Sequence, residues 1–189
     1  MTGKTHRIIG IAAGLTYLVA SAEPEYSPAT LGFVVAGSYI ASLIPDMDRP
    51  AADIWNTLPF GRTIGEIIDP FFKHRNISHS LLGLGIFGFG IYMLLGSFPD
   101  YWGVDTDMVL TASLIAMGTH LVADMFTVEG IPLLYPWHRM LGIPPKPLDG
   151  IRILTGKWFE NLVIFPIVNL WLVITVIVKW DTIKSILFK

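Results

Sequence analysis

Five long apolar segments constrain the fold of this chain more than any other feature. They cover residues 8–22, 29–44, 80–98, 108–128 and 162–180. Crossing a bilayer takes roughly 20 mostly apolar residues, because a helix rises about 1.5 Å per residue through about 30 Å of hydrocarbon. The segments therefore predict an all-α, integral membrane bundle of about five transmembrane helices, which forms a single domain over residues 1–189.

The overall composition agrees with a membrane domain and excludes several other classes. Of the 189 residues, 52% are hydrophobic and 15% are charged, whereas about 25% of residues are charged in soluble domains. The formal net charge is -2 and the basic residues are dispersed, so we expect no nucleic-acid partner. The chain has no cysteine, so a metal ion would have to be bound by histidines, carboxylates or water.

The links between the segments predict an orientation in the membrane. Residues 23–28 and 99–107 form short links without lysine or arginine, whereas residues 45–79 and 129–161 form long polar links. Ten of the 13 basic residues lie in the long links or near the N-terminus. The positive-inside bias therefore predicts a multi-pass protein with a cytoplasmic N-terminus. Residues 181–189 carry basic residues on the opposite side and are the counter-signal, unless this tail lies along the membrane interface.

The N-terminal segment also has a second interpretation. Lys4 and Arg7 precede an apolar run that ends in Ala20, Ser21 and Ala22, which is the pattern of a cleavable secretory signal peptide. Cleavage would delete the neighbouring histidine and leave the rest of the topology intact. We favour retention of this segment as the first transmembrane helix.

Nearly every side chain able to bind a metal or transfer a proton lies at the predicted cytoplasmic end of the segments. His6 precedes the first segment, and Asp46 and Asp48 follow the second. Pro45 and Pro50 bracket the two carboxylates and discourage helix, so we expect an extended turn that directs both to one region. Two such carboxylates repel each other unless a cation lies between them. Taken alone, the pair is equally typical of a metal site and of a solvated acidic turn or a partner for Arg49.

A basic, histidine-containing stretch leads into the third segment. His74 and His79 are five residues apart, with Arg75 between them. Ser78 or Ser80 could cap the helix that follows, and a helix N-terminus favours bound anions. The stretch is typical of combined metal and phosphate binding, although a basic patch that contacts lipid headgroups has the same composition.

The strongest local motif lies inside the fourth segment. His120 and Asp124 are four residues apart, which places both on one helix face with about 5 to 6 Å between their Cβ atoms. A charged group inside a span costs about 2.5 to 3.5 kcal/mol on insertion scales, so the pair indicates a functional site more than a packing contact. Glu160 begins the last segment at the same end, as a further ligand, a general base or a helix-start residue favoured by the dipole.

The combined motifs closely resemble the bacterial and archaeal membrane-bound metal-dependent hydrolases of the YdjM type. The resemblance rests, in chain order, on Thr5-His6, Pro45-Asp46-x-Asp48, His74-Arg75-x-x-Ser78-His79-Ser80, His120-x-x-x-Asp124 and the helix exit at residues 130–136. It covers nearly the whole chain and implies an integral inner-membrane protein that is classed as a hydrolase. That family is in turn similar to zinc-dependent phospholipase C, a likeness that extends only to His120 and Asp124.

These observations predict a hydrolase that uses one to three divalent ions, with zinc favoured by the mixed ligands, to activate water. The predicted metal ligands are His6, Asp46, Asp48, His74, His79, His120 and Asp124. The predicted catalytic residues are Asp48, Arg75, His79, Asp124 and Glu160. The expected partners are the lipid bilayer and a phosphoester of a lipid or amphiphile that enters from the cytoplasmic leaflet, with Arg75 as a bidentate contact for the phosphate.

Two other classes of function remain open. A metal ion or proton transporter places its ligands near the midplane and needs access from both sides. The outer halves of the segments contain no acidic residue and no histidine, which disfavours transport. A non-catalytic membrane protein with a structural metal site is the third class, and it would contain metal without hydrolysing phosphoesters.

Overall fold

The regular secondary structure in the described part of the chain is helical. The computed structural model describes residues 1–21, 26–48, 52–57, 61, 63, 66, 77–99 and 102–188. Within these residues the α-helices, in chain order, are α1 (Gly3–Ala20), α2 (Pro28–Ala41), α3 (Asp53–Thr57), α4 (Leu81–Leu95), α5 (Thr106–Met125), α6 (Phe165–Val178) and α7 (Trp180–Leu187). The described residues form no β-strand, and their only β-structure is two isolated bridges. The all-α prediction is confirmed.

Short non-α turns extend two of these helices. A 3-10 turn, Ile44–Asp48, follows α2, and a π-helical turn, Glu160–Ile164, precedes α6. The sequence predicts an extended turn at residues 45–50, and this prediction is wrong for residues 45–48, which lie in the 3-10 turn. Pro45 is accepted there because it lies in the first turn, where no backbone N–H is needed. π-turns are uncommon and often occur at functional sites.

Polar residues at the helix starts explain where three of the helices begin. Ser27 accepts a hydrogen bond from the backbone N–H of Thr30, with Pro28 at the first position of α2. Ser80 accepts from the N–H of Gly83 at the start of α4, and Asp105 accepts from α5 in the same way. Such caps stabilise a helix by about 0.5 to 2 kcal/mol. Of the two serines predicted to cap the third segment, Ser80 is the cap.

Three helices of the described chain are long and apolar enough to cross a membrane. They span Pro28–Asp48, Thr106–Met125 and Glu160–Val178. The helix Leu81–Leu95 is apolar but shorter, and Gly3–Ala20 is not among the three. Three of the five predicted spans therefore meet this criterion, and the count of five stays a prediction.

Small residues bring α1 close to α2. A Cβ atom at Gly10 would lie 3.0 Å from the carbonyl oxygen of Ser38, and one at Gly14 would overlap the Ser38 hydroxyl. Ala112 of α5 is fully buried beside this contact. Small residues let helix backbones approach closely within a membrane, where dispersion contacts replace the hydrophobic effect as the driving force. This approach sets the spacing of the polar side chains that α1, α2 and α5 carry.

One of the apolar core clusters of the described residues lies at the end of the bundle away from the histidines. It includes Leu18 of α1, Val34 of α2 and Met108 of α5. Ile183 and Ile186 of α7 join the same cluster. The C-terminal tail forms the short helix α7, and one face of this helix packs onto the core.

Candidate metal centre

Five side chains from four parts of the chain converge at one end of the bundle. His6 comes from α1, Asp46 from the 3-10 turn, His79 from the residues before α4, and His120 and Asp124 from α5. The three imidazoles and Asp124 are each exposed by 1% or less, whereas the Asp46 side chain is 20% exposed. The convergence predicted from the sequence is confirmed for these five residues, which we call the His/Asp cluster.

Two overlapping groups in the cluster have the spacing of metal ligands. One ligand atom each from His6, His120 and Asp124 lies within 4.8 Å of the others, and the same holds for Asp46, His79 and His120. Asp124 connects the groups, because its Oδ1 lies 3.1 Å from His6 Nε2 while its Oδ2 lies 3.6 Å from His79 Nε2. Oδ1 of Asp46 lies 3.4 Å from His79 Nε2 and 3.9 Å from His120 Nε2. The cluster could therefore hold one or two divalent ions.

A backbone hydrogen bond determines which nitrogen of His120 faces the cluster. Its Nδ1 lies 2.6 Å from the carbonyl oxygen of Ser42, so Nδ1 carries the proton and donates it. Nε2 then has a free lone pair, and it is buried without a hydrogen-bond partner among the described residues. Leaving a buried polar atom unpaired costs about 1 to 3 kcal/mol. An N–H bound to a backbone carbonyl is also the usual outer contact of a metal-binding imidazole, so His120 fits a metal ligand.

His79 is oriented in the same way through a serine. The Ser78 hydroxyl lies 3.1 Å from His79 Nδ1 and 3.1 Å from Asp48 Oδ2. A hydroxyl has one proton and an ionised carboxylate can only accept, so Ser78 donates to Asp48 and accepts from the Nδ1–H of His79. This arrangement directs Nε2 of His79 at Asp46 and Asp124.

Asp48 therefore differs from its neighbour Asp46. Asp48 belongs to neither group of possible ligands, although both carboxylates were expected to point to one region. The physical reason is the 3-10 turn, because residues two apart in a helix with three residues per turn face different directions. Asp48 is buried, and its contact with Ser78 positions His79 from outside the cluster. Its predicted role as a catalytic residue stays a prediction.

His6 completes the cluster by stacking on His120. The two ring centroids are 3.6 Å apart with 15° between the planes. Nδ1 of His6 is buried without a hydrogen-bond partner in the described chain. The amino group of Met1 also contacts Oδ1 of Asp124. Asp124 thus contacts the N-terminal amino group and imidazoles from α1, from the residues before α4 and from its own helix, which makes it the central carboxylate of the cluster.

Neighbouring carboxylates control the protonation of His79. Burial alone would lower the pKa of its imidazole, but hydrogen bonds and charge interactions with Asp124 and Asp46 raise the pKa above its ordinary value. Without a metal ion, these carboxylates favour an imidazolium at this position. A metal ion would have to displace that proton, because only the neutral imidazole is a ligand.

Glu160 has a different environment from the cluster. Its Oε1 accepts hydrogen bonds from the N–H and hydroxyl of Thr2 and from the hydroxyl of Thr5, at 2.6 to 2.7 Å. Its Oε2 accepts from the N–H of Gly156 at 2.7 Å. The carboxylate thus joins the start of α1 to the segment before α6, and it belongs to neither group of possible ligands. Its predicted catalytic role stays a prediction.

A polar cavity lies beside the cluster. It has a volume of about 550 Å³ and is lined by the first turn of α1, Arg7, Asp46, Asp53 and Thr155. We call it the ionic cavity. Asp46 is the one member of the cluster that lines it. The ionic cavity is therefore a route by which a solute could reach the cluster.

Two basic residues that were not predicted as site residues line the ionic cavity. Lys4 and Arg7 are three residues apart and share one face of α1. The guanidinium of Arg7 donates to Asp53 Oδ2 at 3.0 Å and to the Tyr39 hydroxyl at 3.2 Å. The sequence signal that could have identified them is their position on either side of His6. His74 and Arg75, which were predicted as a ligand and a catalytic residue, lie outside the described residues.

Comparisons with known proteins agree on one family. A family model described as YdjM inner membrane protein matches residues 1–184. The uncharacterized protein YvsG of Bacillus subtilis is 28% identical to this chain over 164 residues, which are 87% of this chain and 88% of that protein. The inner membrane protein YdjM of Escherichia coli is 28% identical over 148 residues, which are 76% of this chain and 70% of that protein. No solved structure matches the chain significantly.

Proposed function

Since this chain belongs to the YdjM inner membrane protein family, we propose that it is a metal-dependent hydrolase embedded in the inner membrane. The observation that carries the proposal is the buried cluster of three imidazoles and two carboxylates, in which His79 and His120 are both held with Nε2 towards the acids. Ionisable groups are expensive within a membrane and are retained for function. The substrate of the proposal is a phosphoester of a lipid or amphiphile.

The donor set supports binding of a divalent ion, with zinc as the favoured ion. His6, His79, His120, Asp46 and Asp124 would hold it, and imidazole with carboxylate is the usual combination for zinc in a chain without cysteine. Such an ion would supply Lewis acidity for activating water and polarising a phosphoryl oxygen.

The residues of the chain supply orientation and charge around that ion. Ser78 and the Ser42 carbonyl keep two imidazoles in the ligand tautomer. Lys4 and Arg7 line the ionic cavity beside Asp46, and their positive charge favours an anionic substrate there. Arg7 is held in place by Asp53, which lowers the entropy lost when its guanidinium binds a phosphate.

The cluster is also expected to lie at the cytoplasmic surface of a multi-pass protein. The positive-inside bias supports this orientation, because Lys4 and Arg7 belong to the same end of the bundle as the cluster. A phosphoester in the headgroup layer of the cytoplasmic leaflet could then enter the ionic cavity. The similarity to zinc-dependent phospholipase C involves only His120 and Asp124, and it stays a prediction.

The decisive experiment combines metal analysis with a hydrolysis assay. The purified full chain in lipid nanodiscs is analysed for bound metals and then incubated with phospholipids, polyprenyl phosphates and sphingoid phosphates. Release of the headgroup from the phospholipids, and of inorganic phosphate from the two kinds of monoester, is measured. We expect bound zinc and hydrolysis of at least one lipid class. Substitution His120→Asn should abolish both, whereas the control Lys184→Gln, in the distant α7, should leave both unchanged.

The two alternative functions give different results in the same experiment. Bound metal without hydrolysis of any substrate would support a structural metal site and contradict the hydrolase. Metal uptake into sealed proteoliposomes, with no phosphate release, would support a transporter instead.

A further inference from the structure

An apolar groove lies next to the ionic cavity. It has a volume of about 600 Å³ and is formed by residues 151–154 and 157–159. We call it the apolar groove. The ionic cavity is lined by Thr155, which lies between these two stretches. The two openings therefore share the segment that runs from Ile153 to Lys157.

The walls of the apolar groove expose large hydrophobic side chains. Ile151 is 76% exposed, Leu154 58% and Trp158 68%. Burying apolar surface is worth about 25 cal/mol per Å², so a water-filled groove of this kind would be costly. Exposed apolar patches rimmed by polar residues mark binding or membrane surfaces. Lys157 also lines the groove, whereas the guanidinium of Arg152 donates to the carbonyls of Pro144 and Gly142.

The groove is continuous with the surface that faces lipid. It ends at Phe159, and the candidate span Glu160–Val178 begins at the next residue. This span has a mean hydropathy of 2.4 and only 11% of it is buried inside the bundle. Leu162, in its first turn, is 71% exposed. Aromatic and basic residues at the end of a span lie at the headgroup level. We therefore expect the groove to border the headgroups and the adjoining acyl chains of that leaflet.

We propose that the apolar groove binds an acyl chain of a membrane lipid. Its occupant is a lipid because the groove adjoins a helix that is apolar and little buried, and because Lys157 supplies a positive charge that suits the phosphate of a lipid headgroup. If the lipid is also the substrate, which rests on the proposed hydrolase function, its acyl chain lies in the apolar groove and its phosphate lies in the ionic cavity. The segment that both openings share then separates the two parts of the lipid. Ile151, Leu154 and Trp158 are then the residues that select for an acyl chain.

The absence of cysteine from the sequence allows a direct test by site-specific labelling. The variant Leu154→Cys is labelled with a bimane fluorophore and placed in nanodiscs of phosphatidylethanolamine and phosphatidylglycerol. One preparation contains a phospholipid with a nitroxide quencher in its acyl chain, and another is titrated with aqueous iodide. The matched control is Met140→Cys, which is also exposed but lines a cavity together with Glu129 and Asp149.

The expected result is selective quenching by the acyl-chain nitroxide. Quenching at position 154 should be about twofold greater than at position 140, with the opposite order for iodide, because an acyl-chain contact excludes water. Equal iodide quenching at both positions would overturn the proposal. Protection of position 154 from both quenchers would also overturn it, since that result indicates a protein partner or a second copy of the chain.

A second variant separates occupancy of the groove from simple contact with the bilayer. Ile151 is highly exposed, so Ile151→Arg should not prevent folding, which is checked by a monodisperse elution profile. When Ile151→Arg is combined with Leu154→Cys, quenching by the acyl-chain nitroxide at position 154 should fall to the level at position 140. Unchanged quenching would overturn the proposed groove. Both measurements are independent of catalysis, and release of the lipid headgroup, free or phosphorylated, from the same nanodiscs tests the hydrolase function separately.

Discussion

Nδ1 of His120 donates a hydrogen bond of 2.6 Å to the backbone carbonyl of Ser42, the residue that ends α2. This contact links α5 to α2 across 78 positions of the chain. It uses a carbonyl that the helix end leaves without an intrahelical partner. The packing of these two helices therefore determines which nitrogen of the imidazole is available to a metal ion.

Substitution of His120 should have the largest effect on metal binding. The variant His120→Asn removes the Nε2 lone pair that both groups of possible ligands share. We expect loss of bound zinc, measured by elemental analysis, together with loss of hydrolysis. The control Thr119→Ala changes the adjacent residue of the same helix, whose hydroxyl bonds the carbonyl of Ala116. Unchanged zinc stoichiometry in His120→Asn would exclude this residue as a ligand.

Two neighbouring serines should give separable effects. Ser78→Ala breaks the connection between Asp48 and His79, and loss of such an outer contact weakens metal binding by about 10- to 100-fold. Ser80→Ala removes the cap of α4 and should lower stability by about 0.5 to 2 kcal/mol with little change in zinc affinity. Competition with a zinc chelator and thermal unfolding measure the two quantities. Equal effects of both variants on zinc affinity would contradict the positioning role of Ser78.

Zinc affinity should depend on pH through His79. The carboxylates of Asp124 and Asp46 raise the pKa of this imidazole, so a proton occupies the ligand nitrogen up to a higher pH than usual. Affinity should therefore fall as the pH is lowered through this pKa and level off above it. Zinc titrations across a pH series measure the effect. In the variant Asp46→Asn, zinc affinity should fall at a lower pH than in the wild type. An identical midpoint in the two proteins would count against the interaction between Asp46 and His79.

Glu160→Gln distinguishes a stabilising role from a catalytic one. The amide cannot accept all four of the hydrogen bonds that Thr2, Thr5 and Gly156 donate to the carboxylate. Hydrogen bonds to a charged group contribute about 1.5 to 3 kcal/mol, so we expect a lower thermal unfolding temperature. Zinc content should remain at the wild-type value. Loss of hydrolysis with normal stability and normal zinc content would instead support the predicted catalytic role.

Several features of the fold and the site could be predicted from local patterns. The apolar segments indicate membrane helices because length and hydropathy are properties of contiguous residues. His120 and Asp124 share a helix face because they are four residues apart, and Ser80 caps α4 because it precedes an apolar run. The start of α1 was less predictable, since the apolar pattern begins at residue 8 while the helix begins at Gly3 and includes His6.

The sequence by itself determined the all-α type of structure and indicated a set of candidate ligands at one end of the bundle. Only the tertiary structure decided that Asp46 faces the cluster while Asp48 contacts Ser78, and that Glu160 binds the start of α1. The physical reason is the distance along the chain between the residues that interact. Periodicity and capping act over a few residues, whereas these contacts join positions 30 to 158 apart and depend on how closely the helices pack.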